Sequence, residues 1–235
     1  MCYNMVMKIK KILAAACIVA AGFVFANTTP AMVSLVTPLQ APSSSYDVEG
    51  IRLSLIYGEC ASLTGADIGI INNTKGEFAG LALGGGNIAG GRLHGAQLGL
   101  VNVNNNDTSA WDSISIGVQC GLVNYADSFC GLQDGLLVSV VSDTIIGAQG
   151  GCVNVAEGVY GCQIGFLNVA TDVHGAQLGF YGFLCVNFAD KVSTGCQLGL
   201  VNVAGSVESG VQVGLINVNT GNGWAPVLPI VNGGF

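Results

Sequence analysis

The chain has two histidines, His94 and His174, and each stands directly before a Gly-Ala-Gln-Leu-Gly segment. If these segments stack on one another, equivalent positions bring the two imidazoles together as a pair of metal ligands. A zinc site needs three or four ligands, however, and no acidic residue shares the local pattern of the histidines. We therefore expect strand-end histidines and no bound metal.

Two carboxylates fall inside otherwise uncharged segments. Asp67 replaces a recurrent glutamine, and Asp134 lies within a strand-forming stretch. Paired carboxylates perform general acid–base catalysis, but these two are far apart in the repeat order, so we expect isolated charges on an inner or outer surface.

The Gly84-Gly85-Gly86 stretch lacks the Lys-Ser/Thr of a phosphate-binding loop, and no nucleophile elbow occurs. The sequence predicts no catalytic, cofactor-binding or metal-binding residues and no enzyme activity.

The cysteines form no obvious framework either. Seven of the nine lie beyond residue 26, an odd number without a CxxC pair, which is a poor pattern for disulfides or zinc. Cys162 and Cys196 occupy a position that elsewhere holds Ala96 or Val118. We interpret them as small apolar residues.

An internal repeat positions all of these residues. The unit reads Gly-x-Gln-x-Gly-x-x-Asn, most successive copies start 14 to 16 residues apart, and short connectors rich in Gly, Asp and Ser separate them. The clear copies start at Gly95, Gly117, Gly147, Gly161, Gly195 and Gly210, and the degenerate copies start at Gly65, Gly80, Gly131 and Gly175.

Alternation within the repeat predicts a β-strand. In Val173–Phe180 the glycines and the glutamine fall on one face, and the alanine and leucine fall on the other. Two glycines in so short a segment would destabilise a helix by about 1 kcal/mol each. Of the charges beyond residue 49, only Arg52, Asp67 and Asp134 lie well inside a strand, and nearly all the rest lie in or beside connectors.

These strands suit two all-β architectures. About eleven uncharged residues are enough to cross a bilayer as a strand, and Ile51–Gly58, the ten glycine-led units and Pro226–Phe235 make an even count of twelve. We therefore expect an up-and-down antiparallel β-barrel of the outer-membrane type. The alternative is a parallel β-solenoid with one repeat per coil, in which identical Gln and Asn residues stack into ladders. Pro229 favours this alternative, because proline suits only an edge strand.

The N-terminal region predicts export. Lys8, Lys10 and Lys11 precede the apolar run Ile12–Ala26, as in a secretory signal peptide. Residues 1–26 are thus expected to be removed, residues 27–49, rich in Pro and Ser, to form an irregular leader, and residues 50–235 to form a single β-repeat domain.

The chain from Gly50 to Phe235 resembles a family of bacterial surface-repeat proteins first noted in leptospires, built from Gly-Leu-Gln-x-Gly-Leu-x-Asn units. The resemblance includes the opening segment 50–58, the unit 65–72 and the closing segment 229–235. It implies a surface or outer-membrane location and no assigned activity, and it supplies no catalytic residues. The chain departs from the pattern at Ala82, Gly150 and Ser139, where we expect local irregularity.

Charge and composition limit which partners and which classes of function are expected. Without residues 1–26 the chain has four basic and fourteen acidic residues, a net charge of −10, which disfavours nucleic acid as a partner. We expect a structural or interaction protein of the outer membrane or cell surface, with an unknown envelope or extracellular partner and no cofactor. The alternative is an outer-membrane pore, although the Gly-Gln-Gly face has few of the charges that set pore selectivity.

Export gives the first testable prediction. The mature protein is expected to begin at Asn27, because Val24-Phe25-Ala26 places small or β-branched residues before the cleaved bond. N-terminal sequencing of the exported protein checks this, and a mature chain that starts before residue 20 would contradict it.

Overall fold

The computed structural model describes residues 27–106, 114–179, 185–223 and 225–234. The predicted signal peptide at 1–26 lies outside these residues, as does Phe235. The described residues form strands and turns, and no helix among them is long and apolar enough to cross a membrane. The chain divides into two compact units, Met1–Asn105 and Asn106–Phe235, so the repeat domain expected over 50–235 spans both.

The first unit is a stack of mostly parallel strands. β3 pairs in parallel with β1 and β4, β4 pairs with β5, and β5 pairs with β6, whereas β2 folds back antiparallel on β1. The strands are β1 (Thr28–Val36), β2 (Leu39–Ala41), β3 (Asp47–Cys60), β4 (Leu63–Thr74), β5 (Phe78–Ala89) and β6 (Leu93–Asn104).

The second unit repeats this arrangement. Its strands pair in parallel in chain order from β7 to β11, and β12 then pairs antiparallel with β11. The long β8 winds through the units that start at Gly131, Gly147 and Gly161. The strands are β7 (Ser115–Ala126), β8 (Phe129–Gly165), β9 (Leu167–Gly179), β10 (Val186–Leu198), β11 (Val201–Asn219) and β12 (Val227–Gly234).

The antiparallel barrel expected from the sequence is wrong. Both units have the alternative architecture, a parallel β-solenoid with one repeat per coil, in which equivalent residues of successive repeats lie opposite one another, as Leu63, Phe78 and Leu93 do. Both edges of β3 are occupied, by β1 and β4, so none remains for the pairing with the last strand that a closed barrel requires. The connectors resemble hairpin turns in the sequence, but they do not join antiparallel strands. Because the strand bends within each repeat, a short connector is enough to complete a coil.

The structure also corrects the expectation of an irregular leader at 27–49. β1 lies in parallel against β3, and its Thr29, Met32 and Ser34 are buried. Pro30, which suggested irregular structure, falls where the β1–β3 register shifts, and Pro229 likewise falls at the register shift between β12 and β11. Proline is tolerated at such points because no backbone N–H is needed there.

The bend follows the second glycine of each repeat. In β6, Gln97 is buried and Leu98 is exposed, but Leu100 and Val101 are then both exposed before Asn102 is buried again. Two consecutive outward residues shift the alternation by one position and turn a corner. The prediction that the glutamines share one orientation, opposite to the following aliphatic residue, is confirmed: all eight repeat glutamines are buried, while the residues that follow, such as Leu98 and Ile164, are 38% and 37% exposed.

The first glycine of each repeat allows the coils to approach. Gly65, Gly80 and Gly95 are in register, with φ values of 135°, 143° and 136°, which L-residues rarely adopt. A Cβ atom on Gly95 would overlap the carbonyl oxygen of Gly80. The glycine column is therefore required by both the backbone conformation and the stacking distance.

Substitution of this glycine tests the solenoid. Gly95→Ala is expected to lower the free energy of unfolding by ~3 kcal/mol, because a strained φ and a backbone overlap add together. Gly86→Ala is the matched control in β5, where an added Cβ meets only Ile71 side-chain atoms at 4.0 Å, and it is expected to leave the free energy of unfolding unchanged or raise it by less than ~1 kcal/mol. Denaturant midpoints measure both, and equal midpoints for the two variants would contradict the stacking.

Candidate functional site

The most regular feature of the second unit is a buried ladder of glutamines. From Gln133 onward, each side-chain amide donates from Nε2 to Oε1 of the glutamine in the preceding coil, at 2.7 to 3.0 Å. Hydrogen bonds in such a chain polarise one another, and a missing partner in the interior costs about 1 to 3 kcal/mol. The rungs are Gln119, Gln133, Gln149, Gln163, Gln177, Gln197 and Gln212.

Asparagines form a second ladder with the opposite polarity. In each unit, Nδ2 of every rung asparagine except the last donates to Oδ1 of the asparagine in the following coil, at 2.7 to 2.9 Å. The last glutamine acceptor, Oε1 of Gln212, and the first asparagine acceptors, Oδ1 of Asn72 and Asn154, are buried without a hydrogen-bond partner among the described residues. The rungs are Asn72, Asn87 and Asn102 in the first unit and Asn154, Asn168, Asn187, Asn202 and Asn217 in the second.

The second glycine of the repeat makes room for this asparagine. A Cβ on Gly99 would come within 2.7 Å of Nδ2 of Asn87 and 3.1 Å of Oδ1 of Asn102. At the equivalent corner of β11, Asn217 donates to the carbonyl of Gly214 at 3.1 Å. The Gly-x-x-Asn part of the motif is thus one structural element that bends the strand and places an amide inside the corner.

In the first unit an ion pair replaces the glutamine ladder. Arg52 and Asp67 lie opposite each other at the glutamine position, and Ala82 and Gln97 follow in the same column. Arg52 donates from Nε to Asp67 Oδ1 at 2.9 Å, from Nη2 to Oδ2, and from Nη1 to the carbonyl of Asn73 at 2.7 Å. Both side chains are buried. Burial raises the pKa of Asp67, and the guanidinium of Arg52 opposes that rise.

This pair corrects one sequence-based expectation and leaves another unchanged. Asp67 is not an isolated charge, whereas Asp134 is exposed on the outer surface, opposite Cys120. The sequence did not predict Arg52 as the partner of Asp67, because the opening segment 50–58 was not aligned with the repeat. Alignment of its glycine with Gly65 puts Arg52 at the glutamine position and predicts the contact.

The structure places the two histidines in different units. His94 is exposed in β6, opposite Ala79. His174 stacks on Tyr160 with ring centroids 4.5 Å apart, and its Nδ1 lies 3.8 Å from Asp172 Oδ1. Within the described ranges, no three His, Cys, Asp or Glu side chains group in a way that holds a metal ion.

The cysteines are thiols in protected positions. Cys60 and Cys185 are buried, and Cys162 and Cys196 are half-buried, each paired with Ala176 across the sheet. Burial raises the pKa of all four thiols, which disfavours the reactive thiolate. This environment supports their interpretation as small apolar residues.

The outer surface of the first unit is aliphatic. Leu53, Ile68 and Leu98 are 38% to 43% exposed, and Leu55, Ile70 and Leu100 are 57% to 65% exposed. We call the exposed side chains of this surface the aliphatic face: Ile51, Leu53, Leu55, Ile56, Ile68, Ile70, Ile71, Leu81, Leu98, Leu100 and Val101. Charged side chains lie instead at the connectors, as in the pairs Lys75–Glu59 and Arg92–Glu77, both at 2.7 Å.

A double-mutant cycle tests the buried ion pair. Arg52→Gln is expected to lower the free energy of unfolding by about 3 to 5 kcal/mol, because it leaves Asp67 buried without its counter-ion. Arg52→Gln combined with Asp67→Gln is expected to recover most of that loss, since two glutamines can form a ladder rung as in the second unit. Denaturation curves measure the cycle, and additive losses in the double variant would contradict the pairing.

No family model, curated protein or solved structure matches this chain. The resemblance to the surface-repeat family therefore rests on the motif itself. Chemically, the arrangement offers a hydrogen-bonded polar interior and an apolar exterior, which suits contact with other molecules.

Proposed function

We propose that this chain is an exported repeat protein of the bacterial outer membrane or cell surface, with a structural or interaction role. The observation that carries the proposal is the inverted polarity of the coil, in which amide side chains are buried and Leu and Ile side chains are exposed. The largest exposed apolar patch on a monomeric protein, typically about 300 to 600 Å², is often functional. The predicted signal peptide and the family resemblance support the envelope location.

The aliphatic face is the contact surface in this proposal, and hydrocarbon of the membrane is its partner. The face spans four coils that are spaced ~4.8 Å apart and six residues along each strand that are spaced ~3.3 Å apart, so its area is roughly 400 Å². This is about half of what each partner contributes to a stable protein complex. A depression of about 510 Å³ on this face is lined by Val33, Leu53, Leu55, Ile68 and Ile70 together with Ser34, Ser54 and Gly69, which suits an acyl chain.

The pore alternative has less support. A pore needs a polar lumen open to water, but in both units the amide side chains at the centre of the coil are fully buried and bonded to one another, as Asn87 and Gln163 are. The interior is therefore occupied by side chains.

A vesicle flotation assay tests the proposal. The mature protein is expected to float with phosphatidylcholine vesicles, and Leu55→Asp combined with Ile70→Asp is expected to reduce binding at least tenfold, because each apolar side chain contributes about 1.5 to 3 kcal/mol on burial. Asn105→Asp, on an exposed connector residue of the same unit, is the control and should bind like wild type.

Circular dichroism should show the same β-structure for all of these proteins, since Leu55 and Ile70 face outward. Wild-type protein that stays unbound, or a double variant that floats equally well, would contradict the proposed contact.

A further inference from the structure

A groove crosses the coils of the second unit. Its floor follows Ala156, Ala170, Ala189 and Ala204, which lie opposite one another in successive strands and are at most 6% exposed. We call it the alanine groove. Its volume is about 500 Å³. The small side chain at this position in these four coils leaves a channel that runs along the direction of stacking.

The two walls of the groove differ in chemistry. One wall is the apolar column Val155, Val169, Phe188 and Val203, which are paired in register. The other wall consists of connector residues and includes the exposed Glu157, Thr171 and Asp190. A ligand in this groove therefore meets an apolar side and an acidic side at once.

The carboxylates of the acidic wall are available to a ligand. The side-chain carboxylates of Glu157 and Asp190 make no hydrogen bond or ion pair with a described residue. The described part of the second unit has seven carboxylates and one lysine, Lys191, whose Nζ is 3.0 Å from Glu208. Charge complementarity therefore selects a cationic occupant, and the Val/Phe wall requires apolar side chains beside the cations.

The spacing of the carboxylates defines the conformation of the occupant. Glu157 and Asp190 lie two coils apart with Thr171 between them, which at ~4.8 Å per coil gives roughly 9.6 Å. A polyproline II segment rises ~3.1 Å per residue and has three residues per turn, so every third side chain points the same way at intervals of ~9.3 Å. The two periods agree, whereas side chains on one face of a β-strand recur at ~6.6 Å.

We propose that the alanine groove binds an extended, cationic segment of a partner protein with Lys or Arg at every third position. The basic side chains pair with Glu157 and Asp190, and apolar residues between them contact the Val/Phe wall. This inference goes beyond the proposed membrane contact and does not depend on it, because the groove and the aliphatic face belong to different units.

The test uses the full chain and the fluorescent peptide Lys-Pro-Val-Lys-Pro-Val-Lys, with binding followed by anisotropy at low salt. Saturable binding is expected. Glu157→Gln combined with Asp190→Asn is expected to weaken it roughly tenfold, which corresponds to two exposed ion pairs. Asp134→Asn removes an exposed carboxylate outside the groove and should bind like wild type.

Two further variants separate a groove from a general acidic surface. Thr171→Arg places a cation between the two carboxylates and is expected to abolish binding, whereas Thr171→Gln adds a similar length without charge and should retain it. Because residue 171 is exposed, neither change should alter the fold by circular dichroism. Equal binding by both Thr171 variants would overturn the proposal.

Two competitor ligands test the period and the class of occupant. The rearranged peptide Lys-Lys-Lys-Pro-Val-Pro-Val has the same composition and is expected to bind at least fivefold more weakly. Equal affinity for the two peptides would overturn the three-residue period, and displacement of the peptide by equimolar spermidine would identify a polyamine instead of a protein segment. Absence of saturable binding to the wild-type chain would overturn the proposal, while vesicle flotation reports on the aliphatic face separately.

Discussion

In-register contact between backbones is the constraint on which the rest of this structure depends. Coils that stack directly over one another bring the first glycine of each repeat against the carbonyl of the previous one, as Gly95 lies against Gly80. No side chain fits at that contact. Once the register is set, every other position of the repeat also lies against the equivalent position of the next coil. A repeated sequence therefore forms columns of identical side chains.

Stacking of identical side chains explains why the interior is polar. Amides are both donors and acceptors, so a column of them satisfies itself, and the Gln and Asn columns do so with opposite polarity. The apolar part of the core is confined to columns such as Leu63, Phe78 and Leu93. Many of the remaining Leu and Ile side chains are exposed on the outside, as Leu55 and Ile70 are.

The columns tolerate substitution when the replacement restores the lost bonds. Arg52 and Asp67 substitute for two amides with a bidentate ion pair. Ser139 replaces an asparagine and bonds to the carbonyl of Gly150, and the β7–β8 register shifts just before it, in agreement with the irregularity expected there. Ala82, where irregularity was also expected, keeps the register of its neighbours. Asn187 lies eight residues after Gly179 in the sequence, against three from Gly165 to Asn168, and still donates to Asn202 at 2.7 Å. These positions thus keep their hydrogen bonds although the residue types change, whereas Ala82 interrupts the polar column of the first unit with an apolar side chain.

The sequence alone determined that the chain is all-β and which residues of a repeat share a face. The sequence did not decide between antiparallel and parallel pairing. A hairpin and a solenoid coil give the same sequence pattern, a strand with alternating faces followed by a short connector. Only the tertiary structure showed that two consecutive residues, such as Leu100 and Val101, both face outward and bend the strand. That bend lets a connector of a few residues complete a coil. Because successive coils stack, residues that are distant in sequence become neighbours. Arg52 thus lies beside Asp67, and Glu157 lies two coils from Asp190.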